Sequence, residues 1–185
     1  IKLINFDLPE KKKTKDDIRG FQRIYQVNFS SDGRSLMFSA QNRGQTDIYL
    51  FELSMTRPTQ LTNDIFDDSY LTMIQLSGAN GILFSSNRPD ENISGATYDS
   101  ILPVGNYNLY FLNLDNPSLD PIKITSLPTE NQTQSAQIND KYFSFLSDEN
   151  GIINLYQGQL DSSFLRIDTI QEGDAYSFDS IYTFT

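Results

Sequence analysis

Two long stretches of this chain repeat the same order of residue types, and this repeat constrains the fold more than any other feature. Residues 29–62 contain an Asp-Gly turn, an apolar strand ending in Phe-Ser, an Asn-Arg pair, a strand with Ile-Tyr, and a final Leu-Thr. Residues 76–125 keep most of that order and close on Ile-Thr. Because the repeat consists of short apolar strands and turns, it indicates antiparallel sheets stacked around an axis.

The spacing of two aromatic landmarks gives the size of the repeat. The landmarks are a Phe that ends one strand type and a Tyr in the strand that follows: Phe38, Phe84 and Phe145, and Tyr49, Tyr110 and Tyr156. The Phe residues are 46 and 61 residues apart, and the Tyr residues are 61 and 46 apart. The unit is therefore about 46 residues, with an insertion of about 15 in the second copy. That length is typical of one four-stranded propeller blade.

We therefore predict an all-β fold, a β-propeller of four-stranded antiparallel blades, since no segment shows a sustained helical periodicity. The predicted blades cover about 21–64, 67–127 and 134–168, with half blades at 1–18 and 171–185. In the first blade, strands are predicted over 24–29, 35–39, 47–53 and 57–61. Residues 177–185 are predicted to form a short hairpin. Joining the two half blades would close a ring of about four blades, whereas a piece of a longer protein would be a segment of a six- or seven-blade ring.

The composition excludes several classes of function. Fourteen Lys and Arg against 24 Asp and Glu give a net charge of −10, which argues against nucleic acid and anionic membrane surfaces as partners. No apolar run approaches the length of a membrane helix, so no direct membrane insertion is predicted. The chain has no His and no Cys, which rules out a Ser-His-Asp triad, a His-ligated zinc and thiolate chemistry. We predict no catalytic residue, no cofactor and no metal site.

The first copy of the repeat resembles the PD40 (WD40-like) repeat of the TolB-like propeller family. The residues that carry the resemblance are the Asp32-Gly33 turn, the Phe38-Ser39 strand end, Asn42-Arg43-Gly44, Asp47-Ile48-Tyr49, and Leu61-Thr62. The resemblance implies a non-catalytic platform for protein–protein interaction in the bacterial cell envelope, in the periplasm or on the outer face. It leaves two alternatives open: the gating propeller of a prolyl-oligopeptidase-like serine peptidase, and a carbohydrate-binding propeller.

The insertion in the second copy is the first candidate partner-binding segment. Residues 89–106 lengthen one connection only, and long loops in compact domains are often functional. This segment and the residue after it carry aromatic and aliphatic side chains suited to an interface: Tyr98, Ile101, Leu102 and Tyr107. The alternative is that they fold back on the rim of the protein as a local plug.

An acidic and aromatic run between the first two full copies is the second candidate. It comprises Phe66, Asp67, Asp68 and Tyr70. In propellers such connections border the central channel, where an acidic rim with aromatic rings could receive a basic peptide tail. The alternative is a solvated turn in which the Asp side chains bond their own backbone.

Overall fold

The computed structural model describes residues 2–4, 15–17, 20–30, 32–76, 78–88, 105–116, 120–127, 129–172 and 175–184. For 2–4, 15–17, 76, 162–172 and 175–184 it describes the backbone alone. These residues form fifteen strands in five antiparallel sheets, with no helix among them. Consequently, the described part of the chain contains no helix that could span a membrane. The prediction of an all-β fold is confirmed.

Three sheets form the body of the protein, and in each the strands lie in sequence order. The first sheet contains β3 (Arg23–Phe29), β4 (Ser35–Asn42), β5 (Gln45–Glu52) and β6 (Thr59–Gln60). The second contains β7 (Asp68–Leu76), β8 (Ala79–Ser86), β9 (Asn108–Asn113) and β10 (Ile122–Lys123). The third contains β11 (Gln132–Gln137), β12 (Tyr142–Ser147) and β13 (Asn154–Gln159).

Two separate hairpins come from the ends of the chain. One pairs β1 (Lys2–Ile4) with β2 (Lys15–Asp17), and the other pairs β14 (Ser162–Glu172) with β15 (Ala175–Phe184). This second hairpin differs from the prediction. Residues 177–184 belong to a single strand, whereas a short hairpin was predicted within 177–185. The sequence over 177–185 has no Gly, Pro or Asn to turn the chain, whereas Gly173-Asp174 precedes β15. The segment up to 168 is accordingly the partner of β15 and not a fourth strand of the third sheet.

The aromatic landmarks of the repeat are direct cross-strand neighbours in all three sheets. The pairs are Phe38 with Tyr49, Phe84 with Tyr110, and Phe145 with Tyr156. Their ring centroids lie 5.5, 6.0 and 5.7 Å apart, within the range of favourable aromatic pairs. The period read from the sequence is therefore a period of structure.

The Leu-Thr or Ile-Thr that closes a copy has the same hydrogen bonds in the first two sheets. In the first, the Ile48 amide donates to the Thr62 hydroxyl oxygen at 3.0 Å. In the second, the Leu109 amide donates to the Thr125 hydroxyl oxygen at 2.8 Å. The threonine thus satisfies a backbone amide of the third strand where the short fourth strand ends.

The sheets pack face to face, and each interface is a separate apolar core. Between the first and second sheets lie Met37, Ile48, Leu71, Ile82, Phe84, Tyr110 and Leu112. Between the second and third lie Ile74, Leu83, Leu109, Phe111, Phe143 and Leu160. Alternate residues of β8 and β9 face opposite cores, because the middle sheet is covered on both faces.

Two glycines allow this close packing. A Cβ added at Gly81 would overlap the Phe111 ring and the Leu112 carbonyl oxygen, and one at Gly158 would overlap the Phe143 ring. In each case the aromatic ring belongs to the adjacent strand of the same sheet. A side chain in place of the glycine would therefore displace the ring and the core residues packed against it.

The first strands of adjacent sheets are joined by side-chain amides. Gln26 and Asn28 of β3 donate to the Leu71 carbonyl oxygen of β7 at 2.9 and 2.6 Å. Gln137 of β11 exchanges two bonds with the Gln75 backbone of β7, at 2.8 and 3.0 Å. The first strands of the three sheets therefore lie side by side, and they form the wall of the site described next.

Candidate functional site

Each of the three first strands carries a β-bulge at the corresponding place. The pairing register shifts between Ile24 and Gln26 in β3, between Ser69 and Thr72 in β7, and between Thr133 and Ala136 in β11. A bulge redirects a side chain out of the regular pleat. The bulged segments contain Tyr25, Tyr70 and Gln134, all of which are exposed.

Two of these bulge residues adopt an unusual backbone conformation. Tyr70 has φ of 52° and Gln134 has φ of 53°, in the left-handed region that L-residues with a bulky side chain rarely adopt. Such positions cost conformational energy and are concentrated at functional sites.

The three bulges converge on one cavity of about 840 Å³. Tyr25 of the first sheet, Tyr70 and Tyr107 of the second, and Asn131 and Gln134 of the third all line it. Tyr25 is 48% exposed and Tyr70 is 40% exposed. The cavity thus presents aromatic rings and side-chain amides from three sheets at once.

Asp67 is the only charged residue among the described residues that line the cavity. Its backbone amide donates to the Asn87 side-chain oxygen at 2.8 Å, which fixes the start of β7. Burial raises the pKa of the Tyr107 phenol, and the charge of Asp67 raises it further. Tyr107 and Asp67 are therefore close enough to interact across the cavity.

A buried ion pair lies beside the cavity, where the first and second sheets meet. The two terminal guanidinium nitrogens of Arg88 contact the two carboxylate oxygens of Asp68, at 2.8 and 2.9 Å. Arg88 also contacts Asp64 at 2.5 Å. The Arg88 side chain is 11% exposed and Asp68 is fully buried, so this pair is held in a low-dielectric environment.

Aromatic rings enclose the Arg88 guanidinium. Its central carbon lies 5.8, 5.5 and 5.7 Å from the ring centroids of Phe66, Phe84 and Tyr110. The Tyr110 hydroxyl also donates to the Arg88 carbonyl oxygen at 2.9 Å. The repeat landmarks Phe84 and Tyr110 therefore hold the arginine in place.

Asp47 is a third buried carboxylate at this junction. It accepts a hydrogen bond from the Gln60 amide at 2.9 Å, while its other oxygen is buried and has no partner among the described residues. Burial, assisted by the charge of Asp68, raises the pKa of Asp47 to about 7. Burial raises the pKa of Asp68 to about 6, against the opposing effect of Arg88.

Oxygen atoms of Asp47, Asp64 and Asp68 lie within 4.8 Å of one another, close enough to be ligands of one cation. The Arg88 guanidinium already supplies positive charge to two of the three. A metal would have to displace it, so the arrangement is better described as an internal ion-pair cluster.

The predicted site residues have three different positions. Asp67 and Tyr70 from the acidic and aromatic run line the cavity together with Tyr107, the residue that follows the insertion. Phe66 covers Arg88. The structure corrects the prediction for Asp68, which is fully buried against Arg88 and is not a surface for a partner. Tyr98, Ile101 and Leu102 lie outside the described residues.

Sequence reasoning missed Arg88, Asp47, Tyr25 and Gln134. The Asn87-Arg88 pair was visible as part of the repeat, and Asp47 as the acidic residue before Ile-Tyr. Their pairing was not visible, because it depends on how two sheets meet. Tyr25 and Gln134 had no sequence signal, since a bulge in a strand is not marked by a residue type here.

Comparison with known proteins gives matches among solved structures. No family model and no curated protein matches the sequence. Among solved structures, 28 chains are similar, including TolB from Acinetobacter baumannii, with a TM-score of 0.50 and 18% sequence identity. The match covers 97% of this chain and 48% of that one, so the chain spans about half the length of that structure. The likeness supports a TolB-like fold and does not extend to activity or partners.

Proposed function

We propose that this chain is a non-catalytic protein-interaction module of the bacterial cell envelope, built as a β-propeller with PD40-type blades. The three sheets would be successive blades, and the two terminal hairpins would contribute to further ones. The proposal is supported by the TolB-like fold, by the PD40 resemblance and by the face-to-face stacking of three antiparallel sheets with paired landmarks.

The convergence of three bulged strands on one cavity is the observation that carries the proposal. The bulges align exposed tyrosines and amide side chains from three blades around one opening, beside the strands expected nearest to a propeller axis. Tyrosine is favoured at protein interfaces because it combines a large apolar surface with a polar tip. A partner segment entering the cavity would contact all three blades together.

Site-specific photo-crosslinking tests this function in the native host. A benzoylphenylalanine placed at Tyr70 should give a discrete adduct with one protein, and one placed at Tyr25 should give the same adduct. The matched control is Phe29, an exposed aromatic residue at the other end of β3, which should give none. Absence of adducts from both tyrosines, or the same adduct from Phe29, would contradict the proposal.

A carbohydrate ligand is the second candidate function, because tyrosine rings and the amides of Asn131 and Gln134 together suit a neutral sugar.

The predicted partner contacts in 89–106, with Tyr98, Ile101 and Leu102, stay part of the main proposal. Deleting 89–104 and repeating the crosslinking at Tyr70 tests these contacts, since an unchanged adduct yield would show that the deleted residues do not take part in the interface.

A further inference from the structure

We infer that the cavity recognises an alkylammonium group, such as the end of a lysine side chain, held by the Asp67 carboxylate beside the Tyr70 and Tyr107 rings. This inference rests on the proposed function and specifies the chemistry of the partner. It is carried by the charge of the cavity, by its unpaired acceptors and by its rings.

Asp67 provides a carboxylate that forms no ion pair among the described residues. Of the carboxylates around this junction, Asp64 and Asp68 are paired with Arg88. In the described part of the chain, no Lys or Arg lies within 4.0 Å of the Asp67 carboxylate, although Asp67 lines the cavity. An anionic group at the wall of a concave site attracts a cation, and low-dielectric walls strengthen that attraction.

Two residues that line the cavity carry a side-chain oxygen without a hydrogen-bond partner among the described residues. These are the Gln26 side-chain oxygen and the Ser135 hydroxyl, and both are buried. The Gln26 amide nitrogen already donates to the Leu71 carbonyl oxygen, which leaves the oxygen of that side chain as an acceptor. An ammonium group has three N–H donors and no acceptor, so it could satisfy these oxygens where a small movement of the wall exposes them.

The tyrosine rings supply the third attraction. A cation within about 6 Å of an aromatic centroid is attracted to the face of the ring. The protein uses this contact twice in the same region, with Arg88 among three rings and with Arg23 at 5.0 Å from the Tyr25 ring. Tyr70 and Tyr107 line the cavity next to Asp67, where they can do the same for a bound cation.

The backbone at Tyr70 indicates that its position is specified by the fold. A tyrosine in the left-handed region is disfavoured, and this one is held by the bulge that turns its side chain toward the cavity. A solvated turn without a ligand would not require a bulky residue at such a position.

Titration of the protein with small probes tests the inference directly. The protein is prepared with ¹³C-labelled tyrosine, and n-butylammonium chloride is added while the Tyr25, Tyr70 and Tyr107 ring signals are followed. Single Tyr→Phe variants assign the signals. n-Butanol is the neutral probe of the same length. We expect n-butylammonium to shift these signals and n-butanol to bind at least about tenfold more weakly.

The variant Asp67→Asn separates charge from shape. It keeps the backbone amide that bonds Asn87 and removes the negative charge, and we expect about a tenfold loss of n-butylammonium affinity with unchanged thermal unfolding. Asp140→Asn, an exposed aspartate in the turn before β12, is the matched control and should bind as the wild type does.

Three results would overturn the inference. They are equal binding of n-butanol and n-butylammonium, unchanged n-butylammonium affinity in Asp67→Asn, and a shift of the three tyrosines by maltose with no shift by n-butylammonium. The crosslinking experiment reports separately on the proposed function. An adduct at Tyr70 without ammonium binding would leave that function standing and remove this inference, and ammonium binding without any adduct would do the reverse.

Discussion

Two junctions between neighbouring sheets can be compared, one between the first and second sheets and one between the second and third. They have equivalent backbone pairing but differ in charge. Asp68 begins β7 opposite Ser86, and Gln132 begins β11 opposite Ser147. Both side chains are fully buried. The same position of the repeat therefore holds an anion in one sheet and a neutral amide in the next.

The hydrogen bonds around the two positions are equivalent. The Asp67 amide donates to the Asn87 side chain at 2.8 Å, and the Asn131 amide donates to the Asp148 side chain at 2.6 Å. Gln132 then accepts from the Thr125 hydroxyl at 3.0 Å and needs no cation.

The first of these junctions is charged because of the residue that follows the side chain accepting this backbone hydrogen bond. Arg88 follows Asn87 and turns inward onto Asp68, whereas Glu149 follows Asp148 and is exposed. Removing two charges from water is costly even when they pair well. Because the neutral junction builds the same sheet contact, the fold does not require the ion pair, and its presence beside the cavity is a property of this one junction.

Arg88→Ala should have the largest effect on this comparison. It leaves Asp64 and Asp68 without their counter-ion and empties the space among three aromatic rings. Breaking a buried pair from one side costs about 3–5 kcal/mol, and we expect that loss in the free energy of unfolding measured by urea denaturation.

Glu149→Ala is the matched control for this substitution, at the corresponding position of the third sheet. It should leave stability almost unchanged because the side chain is exposed. Equal losses in the two variants would show that the charged junction is no more sensitive than the neutral one.

The pH dependence of stability should come from the charged junction and have the next largest effect. The pKa of Asp47 is raised from 3.8 to about 7 in the folded protein. The stability it contributes is therefore fully present below about pH 4 and is lost as the pH rises through 7. Asp68, raised to about 6, acts in the same direction.

We therefore expect wild-type protein to unfold more readily at pH 8 than at pH 5.5, and Asp47→Asn to lose much of that difference. One pKa unit corresponds to about 1.4 kcal/mol, so the difference should be about 1–3 kcal/mol. Thermal unfolding at the two pH values measures it, with Asp140→Asn as control. A slope that Asp47→Asn leaves intact would assign the pH dependence to other groups.

The repeat made the architecture readable, because strand periodicity and turn residues act locally. The spacing of Phe38, Phe84 and Phe145 predicted the length of the repeat, and the structure adds that each of them pairs with the tyrosine landmark of its own sheet. The prediction for the carboxyl end was wrong because, among the described residues, 162–172 pair with 175–184 in a two-stranded sheet, and nothing in the repeat indicates that pairing.

The candidate site was readable only in part. Asp67 and Tyr70 were singled out in one candidate and Tyr107 in the other, and the structure places all three in the wall of one cavity. Asp68 was grouped with Asp67 and Tyr70 because it is close in sequence, yet its side chain is buried against Arg88, and the bulge between Ser69 and Thr72 breaks the alternation that would place it on the same face as Tyr70. Residues brought in by other sheets, such as Tyr25 and Gln134, could not be assigned without the packing.

Converting the charged junction into a neutral one should have a small effect. The double variant Asp68→Gln with Arg88→Met replaces the pair by side chains of similar size, as Gln132 does in the third sheet. Such replacements of buried ion pairs are often close to neutral, so we expect stability within about 1 kcal/mol of wild type. Asp64 is partly exposed and can be hydrated once Arg88 is gone.

The two single variants complete a double-mutant cycle, and urea denaturation of all four proteins gives the coupling energy. We expect each single change to destabilise more than the double change does. A double variant as unstable as Arg88→Ala would mean that neutral side chains cannot replace the ion pair at this junction.

Added calcium should have the smallest effect, and it tests whether the acidic cluster is complete without a metal. A cation bound to the folded state raises the unfolding temperature in proportion to its occupancy. Because Arg88 already occupies the position between Asp64 and Asp68 and bonds both carboxylates, we expect no measurable shift of the wild-type unfolding temperature in millimolar calcium relative to magnesium-free, calcium-free buffer. In Arg88→Ala the three carboxylates of Asp47, Asp64 and Asp68 are freed, and calcium should then restore part of the lost stability. Stabilisation of the wild type by calcium, with none in Arg88→Ala, would mean that the arginine helps to build a metal site, and the contrast between a charged and a neutral junction would need a different explanation.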